Sequence, residues 1–193
     1  MHGAFQSNTL SPVPFWFLRH GETDWNAQGI SQGNVDIPLN DVGIAQARAA
    51  AQKLRNRGLA TIVASPLARA RVTAEFVGEA LGLPVAIDHD LREVGFGVQE
   101  GQKMSGWFAD WISGAATPEG AETFTALRHR AVAAANRAIA QPPAVLMVAH
   151  GALFRALRAA MGVEPSMRTQ NAVPIFCEPP GPSASSWALH LVA

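Results

Sequence analysis

Short apolar runs alternate with stretches of helical periodicity along most of the chain, and that order admits few architectures. Residues 15–18 are fully apolar and stop abruptly at Arg19, the pattern of a strand buried on both faces with functional groups at its C-terminal edge. From Asn40, a good N-cap, alanines, Ile44 and Leu54 recur at helical spacing to Arg57, and Gly58 ends the run. Residues 61–64 read as a second strand, after which Ser65 can cap and Pro66 suits the first turn of a helix reaching about Leu81. Residues 83–87 give a third strand. Residues 93–106 are glycine-rich and irregular, a loop with little structure of its own and candidate active-site material. A short aromatic segment at 107–112 and a turn at 118–120 precede an alanine-rich helix from about Glu122 to Ala140. Residues 145–149 form another buried strand, with a helix from about Leu153 to Met161 behind it. Two last strands, near 173–177 and 187–192, flank a Pro/Ser-rich turn. The expected fold is α/β: a three-layer α/β/α sandwich whose mostly parallel central sheet is covered on both faces.

A chain of 193 residues suits one domain, here residues 13–193, behind a flexible lead-in at 1–12 that mixes Gly, Ser, Asn and Pro without periodicity. Hydrophobic residues at 48% against charged residues at 16% speak against disorder, and no internal repeat is visible. Lys plus Arg and Asp plus Glu both count 15, so no global field attracts nucleic acid or acidic membranes, and any anion site must be local. No apolar run approaches the roughly 20 residues that cross a bilayer. The lone Cys177 cannot form an intrachain disulfide and the N-terminus lacks a secretory signal, which leads to the expectation of a cytoplasmic protein. Oligomeric state is not legible.

His20 and His150 each follow an apolar strand and precede glycine, so in a parallel sheet both emerge at one edge and face each other. Arg19 adjoins the first, and Arg69, at the start of the helix after the second strand, can bring a second guanidinium there. Guanidinium forks match phosphate oxygens in bidentate geometry and stay charged at any working pH. Paired cations also disfavour imidazolium, which leaves a ring nitrogen free to attack phosphorus and makes His20 or His150 a nucleophile candidate. The plainer alternative has Arg19 and Arg69 paired with Glu22 and Glu93 in a surface ion network. Gly95-Phe96-Gly97 through Gly101 superficially looks like a dinucleotide loop, but the spacing is wrong and no strand leads directly into a helix. Phe96, Trp107, Phe108 and Trp111 either line a substrate pocket or form the small core of a covering segment. His2, His89, His129, His190 and Cys177 carry no function in this reading.

Leu18-Arg19-His20-Gly21-Glu22-Thr23-Asp24-Trp25-Asn26 resembles the opening motif of the histidine phosphatase superfamily, the phosphoglycerate mutase-like family. Gln32-Gly33, Asp36-Ile37-Pro38-Leu39-Asn40 and Gly43 with Gln46-Ala47 resemble its next segment, and Ser65-Pro66-Leu67-Ala68-Arg69-Ala70 its second arginine motif. Leu91-Arg92-Glu93 with Gly97 and Glu100-Gly101, Pro118-Glu119-Gly120-Ala121-Glu122-Thr123, and Val148-Ala149-His150-Gly151 follow in the family's order, so the resemblance covers roughly residues 14 to 180. It implies a phosphoglycerate mutase-like fold with His20 phosphorylated and Arg19, Arg69 and His150 holding phosphoryl oxygens. Thr23, Asn26, Gly151 and the backbone N–H of Ala152 join the phosphate pocket, the last at a helix N-terminus suited to anions; the plainer alternative for Thr23 and Asn26 is that they only cap the turn after the first strand. Glu93 becomes the proton donor and then the base that activates water, with Glu100 and Glu122, also near glycines, as competing candidates. No metal or cofactor is required.

Only 57 positions separate Glu93 from His150, which leaves room for a small cap insertion at about 95–121, whereas the mutase-type members carry a longer, more basic insertion there. The cations between those residues are Lys103, Arg128, Arg130 and Arg137. Retention of a doubly phosphorylated intermediate then looks difficult, and hydrolysis of a small phosphorylated metabolite is favoured over mutase-type transfer. A phosphoprotein substrate such as phosphohistidine fits an open cleft as an alternative, and a non-catalytic phosphate-binding module is the reading from a different class.

Overall fold

The computed structural model describes residues 9–192. Six strands form one sheet: β1 (Phe15–Arg19), β2 (Thr61–Ala64), β3 (Val85–Ile87), β4 (Val145–Ala149), β5 (Ile175–Glu178) and β6 (Ala188–Leu191). Their order across the sheet is β3-β2-β4-β1-β5-β6. The first four run parallel, while β5 is antiparallel to β1 and β6 antiparallel to β5.

Unbroken apolar runs in β1 and β4 reflect burial from two sides. Phe15, Phe17, Val145, Met147 and Ala149 pack into one core with Leu127, Ala131, Leu153, Phe154 and Leu157. Trp16, Leu18, Leu146 and Val148 join the other, with Ala50, Leu54, Ile62, Ala74 and Val77. Helices α2 (Asp41–Leu54) and α3 (Ala68–Leu81) therefore cover one face, and α5 (Phe124–Ile139) and α6 (Gly151–Ala160) the other, giving the expected three layers. The remaining helices are the single turn α1 (Asp24–Ala27) and α4 (Trp107–Ser113). Among the described residues no helix is long and apolar enough to cross a membrane.

Helix boundaries shift where local chemistry outcompetes pattern. α2 starts after its Asn40 cap, which accepts from the Gly43 N–H at 2.8 Å, but ends at Leu54, since Asn56 already has φ 61°. α3 begins two residues later than Ser65-Pro66 suggests; the Ser65 hydroxyl accepts from the Leu67 N–H at 3.3 Å just ahead of the helix and has a second partner, described below. Of the lead-in, residues 1–8 lie outside the described residues. Residues 9–12 pack on α5: Leu10 is buried, and Asn136 accepts from the Ser11 N–H at 2.9 Å and donates to the Thr9 carbonyl at 3.0 Å. The segment 93–106 carries more structure than a plain loop, with a 3-10 turn at Gly97–Gln99 and bridges Ile30 to Lys103 and Phe96 to Ala121.

β1 and β4 are adjacent, yet the chain leaves β1 for the α2 face and β4 for the α6 face. Such a divergence opens a crevice beyond the strands' C-terminal ends.

Candidate active site

Parallel register aligns Arg19 with Ala149, so the two histidines leave the sheet side by side. The His20 N–H donates to the Ala149 carbonyl at 3.0 Å, and the imidazole centroids stand 5.3 Å apart. Gly21 is needed directly beyond: a Cβ there would lie 2.3 Å from the Gly43 carbonyl oxygen at the start of α2.

His20 Nδ1 lies 2.7 Å from the Gly21 carbonyl. A carbonyl only accepts, so Nδ1 carries the proton and Nε2 keeps its lone pair. His150 Nε2 meets the Ser65 hydroxyl at 2.7 Å, and its Nδ1 is buried without a partner among the described residues. Burial, then the Arg69 and Arg19 charges, holds His20 well below the ordinary imidazole range, against a smaller opposing pull from the Gly21 carbonyl. His150 is lowered likewise, by burial first and then by Arg69, His20 and Arg19.

Neither arginine makes an ion pair with Glu22 or Glu93 among the described residues, so the surface-network alternative does not describe this site. Arg69 is buried, with Nη1 and Nη2 donating to the Val35 and Gly33 carbonyls at 2.8 Å each and Nε unpartnered. Arg19 donates from Nη1 to the Thr169 carbonyl at 2.7 Å, and its buried Nε is also unpartnered. Burial pushes the Arg19 guanidinium down to about 10, opposed by the Glu93 carboxylate, so it remains charged at neutral pH. Arg69 is lowered by burial too.

Glu93 reaches across the fold to α6. Its Oε1 accepts from the Val94 N–H at 3.1 Å and the Leu153 N–H at 3.0 Å, and its Oε2 from the Ala152 N–H at 3.0 Å. The N–H of Ala152, expected on phosphate, is thus taken by a carboxylate. The reason is local: His150 gives α6 no side-chain cap, and the positive end of the helix draws the nearest anion. The competing acids are committed elsewhere. Glu100 accepts from the Asn34 and Phe96 N–H groups, Glu122 pairs with Arg130 at 2.6 Å, and neither lines the cavity that Glu93 lines.

Thr23 and Asn26 cap α1. The Thr23 hydroxyl accepts from the Asn26 N–H at 3.1 Å and donates to Gln32 at 3.0 Å, while Asn26 Oδ1 accepts from the Thr23 N–H at 3.3 Å. Thr23 and His150 are fully buried and do not line the cavity, whereas Asn26, Gly151 and Ala152 do. The aromatics split: Phe96 and Phe108 line the cavity, and Trp111 is buried with its indole N–H on the Glu122 carbonyl at 2.8 Å.

Four residues have places at the site that the sequence motifs do not assign to them. Ser65 fixes the His150 ring. Arg130 binds the carbonyls of Asp90, Arg92 and Glu93 and so anchors the Glu93 backbone. Arg155 and Arg168 add charge to the cavity wall. A serine at a strand end carries a weak signal; the arginines carry none, being common on helices and loops. The cavity encloses about 710 Å³, within the range that holds a whole small ligand.

The model of the histidine phosphatase superfamily (branch 1) matches residues 15–174, a span that contains every residue of this site. The chain belongs to the histidine phosphatase superfamily. A probable phosphoglycerate mutase of Yersinia pestis is 37% identical to this superfamily member over 148 residues, 70% of this chain and 68% of the relative. Among solved structures, a mycobacterial hydrolase superposes with a TM-score of 0.80 at 30% identity, covering 94% of this chain and 97% of the other. The mycobacterial glucosyl-3-phosphoglycerate phosphatase gives 0.76 at 28% identity, covering 93% and 97%. Phosphatases and mutase-like proteins thus both stand near this histidine phosphatase fold, and an enzyme acting on a phosphorylated small molecule is consistent with all of them.

Proposed function

We propose that this chain hydrolyses phosphomonoesters of small metabolites, without a metal, through a phosphohistidine on Nε2 of His20. The observation that carries this reading is the His20 imidazole itself, buried, held neutral, and tied through Nδ1 to the Gly21 carbonyl so that Nε2 alone is free to attack. As the Nε2–P bond forms and the ester P–O bond breaks, positive charge grows on the ring, where the Gly21 carbonyl stabilises it. Arg19, Arg69 and His150 hold the phosphoryl oxygens, with the unpartnered Nε atoms of both arginines among the available donors. The departing oxygen takes a proton from Glu93. Oε1 already accepts two N–H bonds and Oε2 one, so Oε2 is the oxygen with room for that proton. In the second half-reaction the carboxylate takes a proton from water, whose oxygen attacks phosphorus and returns the electron pair to Nε2.

Turnover of p-nitrophenyl phosphate, with acid-labile phosphate trapped on His20, supports the mechanism; turnover that persists in His20→Ala overturns it. Mutase-type transfer is the second reading, favoured by the name of the Yersinia relative. It requires bisphosphoglycerate-primed conversion of 3-phosphoglycerate to 2-phosphoglycerate, and hydrolysis without that conversion excludes it.

A further inference from the structure

In the proposed mechanism Arg19, Arg69 and the two histidines provide for the transferred phosphoryl group; Arg19, His20 and Arg69 line the cavity, yet Arg155 and Arg168 line it as well. Its acidic lining residues are Glu22 and Glu93, so four guanidiniums face two carboxylates in a chain of zero net charge. We infer that Arg168, backed by Arg155, forms a second anion subsite, and that the substrate carries a further anionic group, carboxylate or phosphoryl, away from the ester that reacts. This deepens the phosphatase reading and rests on it for the word substrate.

Arg168 is exposed at the cavity wall and makes no hydrogen bond or ion pair among the described residues. Its backbone, although in a loop, is fixed on both sides. Arg158 donates to the Met167 carbonyl at 3.0 Å, and Arg19 to the Thr169 carbonyl at 2.7 Å. Two residues on, Asn171 donates to the His20 carbonyl at 2.9 Å and to Asn26 Oδ1 at 3.2 Å. The loop that carries Arg168 is therefore held in register with the reacting centre by that centre's own arginine and histidine. Arg155 completes the wall: it donates to the carbonyls of Pro165 and Ser166 and lies over the Phe108 ring at 5.2 Å.

Like charges gathered in one cavity repel, and Arg168 and Arg155 both weigh against the charge on Arg19. An anion bound between them relieves that repulsion, and a guanidinium with unused donors on a fixed backbone is preorganised to bind it. The cavity of about 710 Å³ leaves space for such a group well beyond the phosphate itself.

The test uses phosphonates, whose C–P bond this chemistry does not cleave, so binding is read whether or not the protein turns over. Phosphonoacetate, 3-phosphonopropionate and 4-phosphonobutyrate are each titrated calorimetrically against the alkylphosphonate of equal length, and α,ω-bisphosphonates form a parallel arm. At one length or more, the doubly anionic ligand should bind about fivefold tighter than its neutral-tailed partner, and Arg168→Ala should erase that ratio while Arg168→Lys restores part of it. A preference confined to the carboxylate arm identifies an acid, and one confined to the bisphosphonates identifies a second phosphoryl group. Equal affinities at every length, a preference that survives Arg168→Ala, or no phosphonate binding at all would overturn the subsite. Absence of p-nitrophenyl phosphate turnover beside an intact, Arg168-dependent preference removes the phosphatase reading and leaves the subsite standing.

Discussion

Acid destabilises this fold through His20 and His150, and the size of the effect follows from their burial. Both imidazoles are held well below the ordinary range near 6.5, by burial first and then by neighbouring arginines. In the unfolded chain each takes up a proton as the pH falls through about 6.5, whereas in the fold neither does until far lower. The unfolded state therefore binds up to two protons more, so stability is unaffected by this pair above about pH 6.5 and falls as the pH drops beneath it. At about 1.4 kcal/mol per pH unit for each proton, the limiting slope from the pair is about 3 kcal/mol per pH unit. Against a typical total of about 5–15 kcal/mol, one or two pH units remove a large part of the stability. Urea unfolding followed by tryptophan fluorescence between about pH 7.5 and about pH 5 measures this in the wild type and in His20→Asn, whose amide can still donate to the Gly21 carbonyl. Contributions from carboxylates cancel in the comparison, and the variant's slope should be shallower by about 1.4 kcal/mol per pH unit. Equal slopes below about pH 6 would refute the reasoning, because they mean that His20 accepts its proton in the folded state as readily as in the unfolded one.

Two further outcomes are expected. Glu93→Gln lowers turnover of an alkyl phosphomonoester by about 100-fold or more and that of p-nitrophenyl phosphate far less, since the nitrophenolate leaves without a proton; equal losses on both substrates remove Glu93 from proton transfer. Gly21→Ala places a Cβ 2.3 Å from the Gly43 carbonyl oxygen, which α2 can relieve only by moving, so stability falls by about 1–3 kcal/mol in a thermal melt, and an unchanged melting temperature contradicts the close approach.

β1, β2 and β4 were readable because strands buried on both faces leave no polar residue to interrupt the apolar run. The pairing of His20 with His150 at one sheet edge was readable for the same reason, as each ends such a run. The direction of β5 and β6 was not, because a single strand's pattern is the same whichever way its neighbour runs. Thr23 and Asn26 show a different limit: their side chains suit both phosphate and a helix start, and in the structure the local N–H groups of α1 are their partners. Arg168 stands at the cavity wall on a loop held by guanidinium-to-carbonyl bonds from Arg19 and Arg158, and such bonds use no particular residue at the accepting position. The role of Ser65 was obscured by an equally sound local alternative, a cap for α3, which starts instead beyond it.

Because the Glu93 carboxylate closes the first turn of α6, the acid of the proposed mechanism is at the same time that helix's cap. A ligand that draws the carboxylate away from α6 leaves the Ala152 and Leu153 amides open to solvent, so the expected mark of such a ligand is faster deuterium uptake at those two positions than in the protein alone.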